Sequence, residues 1–139
     1  MKAILSTAES VKKAEEAISN KDWTSATVIY TRLNKRMPAH EHYYDRLMML
    51  YRRQNLLTKE LEVINRGIKT ISANFHAKGQ KLFAQNATVK RISNALMKSL
   101  NLKNANGKYL FYPNKVVQWQ KRKEIVLKKI AAEKRRGNK

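Results

Sequence analysis

Asp22-Trp23-Thr24-Ser25-Ala26-Thr27-Val28-Ile29-Tyr30-Thr31-Arg32-Leu33-Asn34-Lys35-Arg36-Met37-Pro38 is the stretch on which the fold turns. Trp23, Ala26, Tyr30 and Leu33 recur at spacings of three, four and three. That period lays one apolar stripe along an α-helix. Asp22 stands where an N-cap is needed, because a carboxylate accepts hydrogen bonds from first-turn amides that have no partner in the ladder. Pro38 stops the helix, since proline has no N–H to donate and disfavours helical geometry in the residue before it. The spacing predicts a helix from the Asp22 cap to about Lys35.

Upstream, Ala8, Val11, Ala14 and Ile18 show the same period, predicting a helix over 8–19 broken at Asn20-Lys21-Asp22. Downstream, a third helix starts near His40 with Tyr43, Leu47, Leu50 and Tyr51 on one side. Gln54-Asn55 breaks it, and a fourth begins near Thr58 with Leu61, Ile64, Ile68 and Ile71 inward. Two helical hairpins of similar length therefore follow one another, and a repeat is expected.

This arrangement resembles the tetratricopeptide repeat, a helix–turn–helix unit of about 34 residues. With Thr7 as the first position, Ala14 and Ala26 fall at the small positions where the two helices cross. Tyr30 falls at the bulky position of the second helix and Pro38 at the terminal proline. A second unit from Glu41 puts Tyr44 and Leu47 at the first-helix anchors, Tyr51 at the aromatic position and Ile64 at the bulky one. Met48 and Glu60 stand where the family carries small residues, and Ser72 stands where it carries proline. The resemblance covers about residues 7–74. It implies an all-α, right-handed stack of antiparallel helical hairpins that captures a partner segment without catalysis.

Residues 77–102 continue the helical period through Leu82, Val89, Ile92, Leu96 and Leu100, with Asn86-Ala87-Thr88 as a candidate break. Asn101 to Gly107 reads as a loop, and Lys108-Tyr109-Leu110-Phe111-Tyr112 as a short strand-like run ended by Pro113. A final helix is expected from Pro113 or Asn114 to about Arg136, with Val116, Trp119, Val126 and Ile130 on one stripe among many cations. Such a basic C-terminal helix serves to cap a stack whose last hairpin is otherwise uncovered. The expected organisation is a repeat-like part over 1–74 and a basic extension over 75–139 packed on the same core, frayed at its last few residues.

The charge is uneven. The chain carries 30 Lys and Arg against 10 Asp and Glu, a net of +20. Residues 1–74 contribute +5 of this and residues 75–139 contribute +15. An excess of this size points to an anionic partner. There is no cysteine, so neither a disulfide framework nor a thiolate metal site is expected. Apolar runs such as Leu47-Met48-Met49-Leu50 fall far short of the roughly 20 residues that span a bilayer. The opening Met1-Lys2-Ala3-Ile4-Leu5 gives way at once to polar residues, so no signal sequence is read and a cytoplasmic location is expected.

Nothing in the sequence assembles catalytic chemistry. The carboxylates fall mostly at surface-type helical positions, and His40 and His42 lie two apart, where helical side chains diverge. No phosphate loop, nucleophile elbow or zincin pattern occurs, and neither enzyme activity nor cofactor nor metal is expected. The leading expectation is a protein-interaction adaptor for a protein or acidic peptide segment, with Lys13, Asn20, Arg46 and Arg53 as candidate contacts. A homodimer is expected too, because two repeats leave an end uncovered. The competing expectation is DNA or RNA binding by the basic half, through Lys108, Tyr109, Tyr112, Lys115, Lys121, Arg122, Lys123, Lys128 and Lys129. There cations would meet phosphates and aromatics would stack on unpaired bases. Residues 87–96 followed by 103–112 also resemble the recognition helix and wing of a winged helix–turn–helix.

Overall fold

Two residues with positive φ mark the architecture: Lys21 at 59° and Asn55 at 58°, 34 residues apart. Each sits in the middle of a three-residue turn between two helices, where one left-handed residue reverses the chain. The hydrogen bonds of the two turns repeat at the same interval. The amides of Asn20, Lys21, Asp22 and Ala26 donate to the carbonyls of Glu16, Ile18, Ala17 and Asp22. Those of Gln54, Asn55, Leu56 and Glu60 donate to Leu50, Arg52, Tyr51 and Leu56.

The computed structural model describes residues 6–85, 88, 91, 92 and 114–137. Among the described residues the helices are α1 (Thr7–Ser19), α2 (Trp23–Arg36), α3 (Glu41–Arg53), α4 (Leu57–Gln85) and α5 (Asn114–Gly137), residues 88, 91 and 92 are also helical, and no strand occurs. Ser6 and Glu9 form a reciprocal capping box at α1, and the Asp22 side chain accepts from the Ser25 amide at the start of α2. Near Pro38, whose carbonyl accepts from the Tyr44 hydroxyl at 2.7 Å, the chain turns into α3. The expected borders of α1, α2, α3 and α5 and the start of α4 agree with these to within one or two residues. The composition border at 74 and 75 lies inside α4, which passes through Gly79 without a break.

Consecutive helices pack against one another, α1 on α2, α2 on α3, α3 on α4 and α4 on α5. The interior is one cluster that includes Ala14, Ala26, Tyr30, Leu33, Tyr44, Leu47, Leu50, Ile64, Val116, Trp119 and Val126. Polar side chains link second neighbours: Arg46 to Glu15 joins α3 to α1, Arg66 to Asn34 joins α4 to α2, and Lys115 to Asp45 joins α5 to α3. Gly67 lets α5 close on this core. A Cβ there would meet the Trp119 ring at 3.1 Å and the Tyr44 ring at 3.1 Å. The expected stripe of Val116, Trp119, Val126 and Ile130 is the buried or half-buried face of α5. No helix among the described residues is long and apolar enough to cross a membrane.

Candidate anion-binding surface

Half of the chain's few carboxylates are held by neighbouring groups. Glu9 and Asp22 serve helix caps. Glu15 accepts from the Tyr30 hydroxyl at 2.5 Å and from Arg46 at 2.8 Å. Burial, and then the adjacent Glu15 carboxylate, hold the Tyr30 phenol well above its ordinary pKa of 10. Asp45 accepts from Lys115 Nζ at 2.5 Å and from the Trp119 indole N–H at 2.8 Å.

Glu60 is fully buried and is met by two guanidinium groups. Arg122 grips it in a fork, Nε to Oε2 at 2.9 Å and Nη2 to Oε1 at 3.1 Å. Arg52 donates Nε and Nη2 to the same Oε2 at 3.3 and 3.2 Å. One carboxylate thus serves two cations, and burial without such partners would be very costly. The Arg52 side chain remains 46% exposed, against 19% for Arg122. Its charge therefore reaches the surface already oriented.

That surface is a notch of about 200 Å³ between the α3–α4 turn and the last turns of α5, lined by Arg52, Asn55, Leu57, Lys129, Ala132, Glu133 and Arg136. Lys129, Ala132, Glu133 and Arg136 share one side of α5 because they recur at three, four and seven residues. Neither Lys129 nor Arg136 has an ion-pair partner among the described residues. A second, wider hollow at the opposite end is lined by Ala39, His40, Glu41, His42, Asp45 and Lys115. There the His40 ring stacks on Tyr43 at 4.1 Å, while the His40 and His42 rings lie 6.4 Å apart.

The residues singled out for a protein partner are dispersed. Lys13 and Asn20 are exposed on α1 and its C-cap. Arg46 is half-buried on Glu15, and the Arg53 guanidinium lies over the Trp23 ring at 5.7 Å. Of those singled out for nucleic acid, Lys108, Tyr109 and Tyr112 lie outside the described residues, as does most of the winged outline over 87–96 and 103–112. Lys115 and Arg122 are occupied by Asp45 and Glu60. Lys121, Lys128 and Lys129 are exposed on α5, and Lys123 is half-exposed. Trp119 is buried against Tyr44 at a ring separation of 5.5 Å, so it is no platform for a base.

Arg52 and Arg136 escaped the sequence reading. The signal for Arg52 was Glu60, a charged residue at a crossing position that favours a small one. Such a carboxylate needs cations close by. No protein-family model, no curated protein and no solved structure matches this chain.

Proposed function

We propose that this chain is a non-catalytic helical-repeat adaptor of the tetratricopeptide kind, binding an acidic protein segment. The observation that carries the reading is the 34-residue identity of the two hairpin turns, the period of that repeat. The direction of the charges adds to it. Glu15, Asp45 and Glu60 are each held by cations of the same chain, so most of the remaining Lys and Arg among the described residues face outward against few exposed acids. In this reading α1, α3 and α5 form one row, α2 and α4 the other, and α5 caps the stack.

The test is fluorescence polarisation with a labelled glutamate-rich peptide, set against a scrambled neutral peptide and DNA and RNA oligonucleotides, across a salt series. Saturable binding of the acidic peptide, weakening with salt and stronger than that of the nucleic acids, is the expected result. Failure to bind any acidic peptide at low salt overturns the reading.

A second reading, nucleic-acid binding through α5, draws on Lys121, Lys128 and Lys129, which are exposed and have no ion-pair partner among the described residues. It predicts tighter binding of the oligonucleotides, with affinity falling steeply as salt displaces the protein from the phosphates.

A further inference from the structure

We infer that the notch between the α3–α4 turn and α5 is an oxyanion site that takes a doubly charged phosphate group, presented by a phosphorylated side chain of the partner protein. This rests on the adaptor reading and places its strongest contact.

The charge at the notch is built rather than scattered. Arg52, Arg122, Lys129 and Arg136 are four cations, against the two carboxylates Glu60 and Glu133. The remainder is two positive charges, which a phosphate monoester in its dianionic form matches and a single carboxylate leaves half met. Glu60 is the positioning residue: the fork from Arg122 already engages both of its oxygens, so Arg52 is oriented by a carboxylate it does not neutralise alone. A guanidinium has five N–H donors, and Arg52 spends two of them on Glu60. The others remain for a tetrahedral oxyanion, the geometry that arginine forks recognise. Lys129 and Arg136 approach from α5, and Leu57 and Ala132 supply apolar wall between them.

The molecule contains its own comparison. Thirty-four residues before Asn55 and Leu57, the equivalent turn carries Lys21 and Trp23. There the next helix has laid Arg53 over the Trp23 ring. At the second turn Leu57 replaces the tryptophan, and the cations of α5 line an open hollow.

The full chain is titrated with inorganic phosphate, and separately with acetate, at constant ionic strength, while backbone amide resonances are followed by NMR. Phosphate is expected to shift Asn55, Leu57 and Ala132 saturably and acetate to do so far more weakly. The pair Lys129→Gln with Arg136→Gln, which breaks no ion pair and so leaves the fold intact, is expected to weaken phosphate at least about fivefold. The control pair Lys12→Gln with Lys13→Gln, on exposed α1, is expected to change it less than about twofold. For a phosphoserine peptide, affinity is also expected to fall as pH drops below about 6, where the monoester dianion is protonated. Equal losses from the two variant pairs, or equal binding of acetate, overturn the site in favour of diffuse charge. A phosphoserine peptide and a 5′-phosphorylated oligonucleotide then separate the sources. If only the oligonucleotide depends on Lys129 and Arg136, the protein source is wrong. If the phosphoserine peptide binds undiminished to the notch variant, the site fails, while the adaptor reading stands as long as acidic peptides are still bound.

Discussion

Glu60 and Ala26 occupy equivalent positions of the two hairpins, and both are fully buried. An alanine there lets two helices cross; a glutamate must carry its charge into the interior and be met. Because Glu60 has no exposure and Arg122 little, Glu60→Ala is expected to cost about 3 kcal/mol, mainly by stranding Arg122. The double change Glu60→Ala with Arg122→Met is expected to recover most of that loss, since an apolar replacement of similar volume needs no partner. Urea unfolding of both variants decides it; a Glu60→Ala loss below about 1 kcal/mol contradicts the assigned role. Gly67 is the complementary case, set by space rather than charge. Gly67→Ala gains helix propensity of roughly 1 kcal/mol but pushes on two rings at 3.1 Å, so the net change is expected to be small. Gly67→Leu is expected to cost about 1–3 kcal/mol or more and to shift Trp119 fluorescence toward the red as the ring is displaced.

Between single residues and the whole lie the contacts that bind element to element. Tyr30 on α2 donates to Glu15 on α1, which also takes Arg46 from α3, so one group of side chains fastens three helices. The raised Tyr30 pKa makes this fastening pH-dependent. The folded state favours the protonated phenol, so its contribution is fully present below pH 10, the ordinary value, and is lost as pH rises beyond it. Chemical denaturation across pH 8 to about 11 should show stability declining on the alkaline side, with Tyr30→Phe flattening that decline. An unchanged slope in Tyr30→Phe would assign the loss to other groups. The helices themselves were legible in sequence, because period, caps and breakers are local: Asp22 caps α2 as expected, and the breaks at 20–22 and 54–55 are the two turns. What α5 rests on was not legible. Trp119 could have served a base or the core, and only the space left by Gly67 together with the N–H acceptor of Asp45 places it inside.

At the scale of the whole molecule, a net charge of +20 on 139 residues sets the conditions of stability. Like charges repel across the surface, and the compact chain crowds them more than the unfolded one. Raising salt from about 10 to about 150 mM shortens the screening length from about 30 to about 8 Å. Thermal melts are expected to rise over that range, because outward repulsion is screened while Glu60 with its arginines lies partly out of solvent reach. A melting temperature that falls instead would mean that exposed ion pairs dominate. The same excess makes salt dependence the first property to measure in any binding experiment.

By itself the sequence determined that the chain is helical, where α1, α2 and α3 begin and end and where α4 begins, and that the surplus charge is positive. All of these follow from residues close to one another or from counting. Only the tertiary structure decided which charges remain outward. Glu60 meets Arg122 across 62 residues and Asp45 meets Trp119 across 74. A pairing over such a distance depends on how helices settle against one another, which local periodicity does not encode. The notch lined by Arg52, Lys129 and Arg136 exists for the same reason: packing brought together cations far apart in the sequence and left them facing outward.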